Sequence, residues 1–169
     1  MAGDKYLYNN AGTPTEKAAI QSSGGAGDAG KIPALDAAGL LSQTMMPVGI
    51  GADTASIVAS EALAAGDFVN VYNDTGTAKV RKADATTSGK EAHGFVLAAV
   101  DSAANATVYF EGSNTQVTGA TPGVVFLSTT AGGSTPTCPV AAGNVSQRIG
   151  VATSATSINF ESGIPIVCA

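Results

Sequence analysis

From Gln21 to Gly30 the chain runs Gln21-Ser22-Ser23-Gly24-Gly25-Ala26-Gly27-Asp28-Ala29-Gly30, and no side chain in that stretch is large enough to anchor a core. Such residues bury little apolar area and lose much backbone freedom on ordering, so they serve as a tether rather than as part of a packed layer. A core must therefore be built elsewhere. Composition changes near Asp53, after which β-branched and aromatic residues recur in short runs between Asn, Asp and Gly. These features divide the chain into an extended, mostly irregular amino-terminal arm and linker over residues 1–52 and an all-β domain over residues 53–169.

Two apolar patches interrupt the arm. One is Tyr6-Leu7-Tyr8, and the other runs from Ile32 to Met46 and includes Leu35, Leu40, Leu41 and Met45. A segment whose apolar residues are confined to clusters between flexible joins gains order chiefly by docking on something else. Tyr6, Leu7, Tyr8, Ile32, Leu35, Leu40, Leu41, Met45 and Met46 are thus the candidate contacts to a partner or to a second protomer. The competing reading is a disordered tail, since chain termini commonly fray.

Strand grammar dominates after Asp53. Phe68-Val69-Asn70-Val71-Tyr72 and Ala78-Lys79-Val80-Arg81-Lys82 flank the turn residues Asn73-Asp74-Thr75-Gly76, which predicts a hairpin. A second up-and-down pair is expected from Gly94–Val100 and Ala106–Glu111 around the loop Asp101–Asn105, and no long apolar stripe of helical period occurs. The order of elements then recurs. Gly66-Asp67-Phe68-Val69 matches Gly123-Val124-Val125-Phe126, the run Lys79–Ala83 matches Pro136–Ala141, Gly94-Phe95-Val96 matches Gly150-Val151-Ala152, and Val108–Gly112 matches Ile158–Ser162. Two readings stand: tandem β units over 66–112 and 123–162, or one hairpin grammar used twice. Either gives about eight short strands at regular spacing, hence a small antiparallel β-barrel or sandwich.

Composition narrows the partners. Hydrophobic residues make up 44% of the chain, yet aromatics reach only 5% and Trp is absent, so the apolar count is largely Ala and Val. A core that thin predicts burial completed by self-association into an oligomer. A net charge of −5 with eight Lys and Arg provides no basic face for nucleic acid. The charged opening, Met1-Ala2-Gly3-Asp4-Lys5-Tyr6, lacks a signal-peptide apolar run, and no later stretch approaches a membrane span, so cytosolic synthesis without a membrane partner is expected. Cys138 and Cys168 carry no metal-site spacing; they read as two packed thiols, with a disulfide as the minority alternative.

The chemistry that a catalytic site needs is hard to assemble here. Gly25-Ala26-Gly27-Asp28-Ala29-Gly30 satisfies G-x-G-x-x-G, but Ile32 stands where a phosphate loop needs Ser or Thr, and Pro33 follows where its helix must begin. His93 is the only histidine, which denies a paired-imidazole metal site, and a strand-end role satisfied by backbone or solvent is expected of it. Glu111 and Glu161 end matching strands and are expected on the barrel rim. A glycan-cleaving carboxylate pair built from such residues would lack the Trp and Tyr that grip sugars. No cofactor and no metal are expected, and no enzymatic activity.

The residues also carry a family resemblance. Lys5-Tyr6-Leu7-Tyr8, the run Pro14–Ser23, the run Gly27–Asp36, Gly39-Leu40-Leu41 and Met46-Pro47-Val48-Gly49-Ile50-Gly51 resemble the arm of tailed-bacteriophage head fibre, or capsid decoration (cement), proteins. Gly66–Tyr72, Lys79–Ala83, Glu91–Val96 and Gln147-Arg148-Ile149-Gly150 resemble the β domains attached to such arms, and are similar to parts of phage tail fibres as well. The resemblance implies a virion structural protein made in the bacterial cytoplasm. Its arm would dock on the major capsid protein, commonly as a homotrimer, and its β domain would project from the capsid surface. A tail-fibre or host-adhesion module that binds glycan is the alternative the same residues imply.

Overall fold

Both parts of the chain turn a sequence period of two into paired strands. The computed structural model describes residues 5–46 and 52–169; the opening Met1–Asp4 and the run Pro47–Gly51, which belongs to the family resemblance, lie outside the described residues. Two compact units result, Met1–Gly51 and Ala52–Ala169.

In the first unit β1 (Lys5–Asn10) pairs antiparallel with β2 (Thr13–Ala18), Tyr6 opposite Lys17 and Leu7 opposite Glu16. The turn is closed by positive φ at Ala11 (50°) and Gly12 (93°), and Asn9 Oδ1 accepts the Gly12 N–H at 2.6 Å. Pro14, which has no N–H, is tolerated opposite Asn9 because both strands of a two-stranded sheet are edges. A hairpin here was not part of the irregular arm read from sequence. Single 3₁₀ turns follow at Ala26–Asp28 and Gln43–Met45.

The second unit is all-β. Its first half contains β3 (Thr54–Ala59), β4 (Phe68–Asp74), β5 (Thr77–Lys82), β6 (Gly94–Phe95) and β7 (Asn105–Tyr109), joined in the closed ring β3-β5-β4-β6-β7. The β4–β5 hairpin is the one the sequence predicts, and Asn73 Oδ1 accepts the Gly76 N–H at 2.7 Å. The ring closes through a parallel pair, Val58 with Lys79 and Ala59 with Val80. A closed ring with an odd number of strands must contain at least one parallel neighbour pair, so the barrel is antiparallel except at this seam.

The second half contains β8 (Gly112–Asn114), β9 (Gly123–Leu127), β10 (Ser134–Thr135), β11 (Val145–Ser146), β12 (Arg148–Ser154), β13 (Ser157–Phe160) and β14 (Ile166–Val167). Five of these form an open sheet in the order β10-β9-β12-β13-β8, while β11 pairs with β14. Leaving out β11 and β14, the strand order within each half is the same: third, second, fourth, fifth, first. The match extends to a single atom. A Cβ on Gly94 would sit 2.5 Å from the Tyr109 carbonyl oxygen, and one on Gly150 would overlap the Asn159 carbonyl oxygen, at positions that align between the halves. One predicted correspondence is corrected: Pro136–Ala141 forms no strand, because Pro136 and Pro139 cannot donate to a ladder, and Ser134–Thr135 pairs with β9 instead.

Two cores follow. The barrel's own core uses small side chains, among them Ala59, Val69, Val80, Ala106 and Val108, which suit the narrow interior of a five-stranded ring. The other joins the halves: Phe68 and Phe95 from the barrel pack with Leu127, Ile149 and Phe160 from the open sheet. Phe68, Val69 and Asn70 are consecutive and all buried, because one face of β4 looks into the barrel and the other toward the second half. Gln147 adds a polar link, its Oε1 accepting the Ala92 N–H at 2.8 Å and its Nε2 donating to the Ala92 carbonyl at 2.9 Å.

Candidate functional site

The arm is distinguished by what it fails to bury. Among the residues of 5–46 whose side chains are described none is buried, and Leu7, Ile32, Leu35, Leu40, Leu41 and Met46 are exposed, Leu7 at 75%. Tyr6, Tyr8 and Met45 are half-buried. The structure thus places all nine sequence-predicted contacts on described backbone, but it splits the first patch. Strand alternation puts Tyr6 and Tyr8 on one face of the hairpin, where the Lys17 ammonium stands 4.5 Å from the Tyr8 ring centroid. Leu7 lies on the opposite face, beside the Lys5–Glu16 ion pair of 2.9 Å.

The second patch is organised by turns. Ile20 N–H donates to the Ile32 carbonyl at 3.0 Å and Ala34 N–H donates to the Ile20 carbonyl at 2.7 Å, so the ends of the glycine-rich run meet and the tether becomes a closed loop. Gln21 Nε2 donates to the Leu35 carbonyl at 2.9 Å, and Ser23 N–H to Thr44 Oγ1 at 2.9 Å, which ties the loop base to the segment bearing Met45. Asp36 Oδ1 accepts the N–H groups of Ala38 and Leu40, both at 2.9 Å, and the resulting turn presents Leu40. The 32–46 patch is therefore a set of apolar side chains on fixed loops.

The glycine loop also shows why its phosphate-loop likeness carries no chemistry. Its anion is built in: Asp28 Oδ2 accepts the Gly24 N–H at 2.6 Å, and Asp28 Oδ1 pairs with Lys31 Nζ at 2.6 Å. The hydrogen bond from Lys31, then that from Gly24, holds the Asp28 carboxyl below its ordinary value. The lysine and the loop amide that a phosphate would need are spent on Asp28.

In the β domain, His93 is exposed just before β6 and its Nδ1 accepts the Val71 N–H at 3.1 Å, a strand-end role. Glu111 and Glu161 line one open depression of about 650 Å³ with Phe110, Asn159 and Ser162, and Glu161 is also 3.6 Å from Arg148. Sequence matching of the two strand ends pairs the same two glutamates, and the structure brings them to one depression. Among the described residues no group of three or more His, Cys, Asp or Glu is placed to hold a metal ion, and no helix is long and apolar enough to cross a membrane. No family model, curated protein or solved structure matches the chain.

Proposed function

We propose that this chain is a bacteriophage virion structural protein that docks on the mature capsid through its amino-terminal arm and stabilises the head. One observation carries the reading: the arm holds six exposed large apolar side chains and, among its described side chains, no buried one, whereas residues 52–169 have a core of their own. Two-stranded hairpins are marginal alone in water, so β1–β2 gains most when an outside surface covers one of its faces. The family resemblance of the arm names that surface as the major capsid protein.

A clamp that binds only the assembled lattice stabilises it by mass action. Three arms on one homotrimer then act at high effective concentration, so weak contacts by Leu7, Leu35 or Leu40 suffice. The β domain projects outward, and nothing in this role asks it for catalysis. Deleting residues 1–45 is expected to leave a folded β domain that no longer coats purified capsids. Truncated protein that coats them at normal occupancy would refute the arm as anchor, and immunolabelling confined to the tail would move the reading to a tail-fibre or glycan-binding module.

A further inference from the structure

The two cysteines, with β11 to β14 between them in sequence, converge in space. Cys138 lies in the irregular run after β10, and Cys168 directly follows β14; both are half-buried and unbridged. Cys138 Sγ lies 3.6 Å from the Pro139 carbonyl oxygen, and Cys168 Sγ lies 3.4 Å from that same atom. Cys168 is held there by its backbone. Its N–H donates to the Asn144 carbonyl at 2.8 Å and its carbonyl accepts the Gly143 N–H at 2.9 Å, extending the β11–β14 ladder in which Val145 faces Val167. Cys138 is held by its side chain, with Ser146 Oγ at 2.7 Å.

We infer that Cys138 and Cys168 form an intramolecular disulfide when the protein meets a small-molecule disulfide such as oxidised glutathione. Two sulfurs at 3.6 and 3.4 Å from one carbonyl oxygen stand no more than about 7 Å apart, so rotation of both side chains with an accommodating shift of the irregular loop that carries Cys138 brings them to bonding geometry. The thiolate of one cysteine attacks oxidised glutathione, forming a mixed disulfide and releasing one glutathione thiolate. The second cysteine then attacks the protein sulfur of that mixed disulfide and releases the other glutathione. The protein is oxidised by two electrons, one glutathione disulfide is reduced to two thiols, and the two cysteine protons pass to solvent or to the departing thiolates. In a reducing cytosol the pair stays open, and it closes once the protein reaches an oxidising medium.

Closure ties β14 to the Cys138 loop and fixes Ile164, Ile166 and Val167, three of the exposed apolar residues of this unit. The full-length native chain, incubated with oxidised and then with reduced glutathione, is read by intact mass and by alkylation of remaining thiols without denaturant and then with it. Expected are the loss of two hydrogens, the loss of both alkylatable thiols together, and a cross-linked peptide pair that reduced glutathione reverses. The single variants Cys138→Ser and Cys168→Ser, lacking a resolving thiol, are expected to retain the glutathione adduct that the native chain discharges. Two thiols still alkylatable after oxidation, a stable adduct on the native chain, or disulfide-linked dimers in place of the internal bridge would each overturn the inference.

Discussion

Replacing Phe160 with Ala tests whether the two halves of the β domain fold as one. Phe160 lies in the open sheet, but its ring packs against two barrel residues, Phe68 and Phe95, with centroids 5.8 Å away in each case. It is 2% exposed. Truncating a buried Phe costs about 3–5 kcal/mol, the upper end applying where neighbours cannot collapse into the space. Two aromatic contacts at these angles place Phe160 at that upper end, since each such pair contributes about 0.5–1.5 kcal/mol beyond its area. With a urea slope of about 2 kcal/mol per molar, the midpoint should fall by about 2 M. The four tyrosines supply the readout: Tyr72 and Tyr109 are in the barrel half, Tyr6 and Tyr8 are in the arm, and the open sheet has none. In a full-length Tyr6→Phe, Tyr8→Phe background, tyrosine fluorescence reports on the barrel alone, although the mutation lies outside it. Fluorescence and far-UV circular dichroism are expected to shift together. A fluorescence midpoint that stays in place while dichroism shows an early phase would refute the shared core as the unit of cooperativity.

Two other substitutions follow from local geometry. Gly150→Ala puts a Cβ into the Asn159 carbonyl at a φ of 140°, so a loss of about 3 kcal/mol or more is expected in thermal or urea unfolding, with Gly27→Ala, where the added Cβ meets open space at an ordinary φ, as the mild control. For pH, burial tends to raise the Asp84 carboxyl, but hydrogen bonds from the Thr86 hydroxyl and N–H and from Lys90 outweigh it and hold the group below its ordinary 3.8. A carboxyl depressed by folding contributes stability that is present above its unfolded value and lost as pH falls through the folded one. The melting temperature should therefore drop as pH is taken below about 4, and Asp84→Asn should flatten that slope. An unchanged slope in the variant would assign acid sensitivity elsewhere.

The legible parts of this fold were the local ones. The β4–β5 hairpin announced itself through Phe68–Tyr72, Ala78–Lys82 and the intervening Asn73-Asp74-Thr75-Gly76. The same device was present in the arm, where Asn9-Asn10-Ala11-Gly12 closes β1 on β2 with the same Asn-to-Gly hydrogen bond. It escaped because Pro14, Glu16, Lys17 and Ala18 are poor strand formers, so the turn signal stood without a convincing second strand. Seeing that hairpin would also have split Tyr6-Leu7-Tyr8, since neighbours in a strand face opposite ways. The seam between β3 and β5 was illegible for a different reason: it is a long-range parallel pairing imposed by ring closure, and no local pattern encodes it. The Asp28 carboxylate inside the glycine loop was likewise hidden, because motif spacing does not say whether a loop brings its own anion.

Equal strand order does not make the two halves equal partners. The barrel closes through β3 and β5, so its ladder has no open end, and its interior core draws on residues from Ile57 to Phe110, all of the first half. The second half does not close in that way: its terminal strands, β8 and β10, span three and two residues and are not paired with each other. Its large buried side chains, Leu127, Ile149, Ile158 and Phe160, instead share a core with Phe68 and Phe95 of the barrel. The exposed large apolar residues of this unit follow the same division: Val124, Val140, Ile164, Ile166 and Val167 all belong to the second half. Dependence is therefore mutual but unequal, the open sheet needing the barrel for its burial more than the barrel needs the sheet. The Phe160 experiment sharpens on this point. Loss of the shared core should take both halves down together, because the open sheet has no other burial and the barrel loses the cover of Phe68 and Phe95; a barrel that stayed folded around Val69, Val80 and Val108 alone is the outcome that refutes the shared core as the cooperative unit.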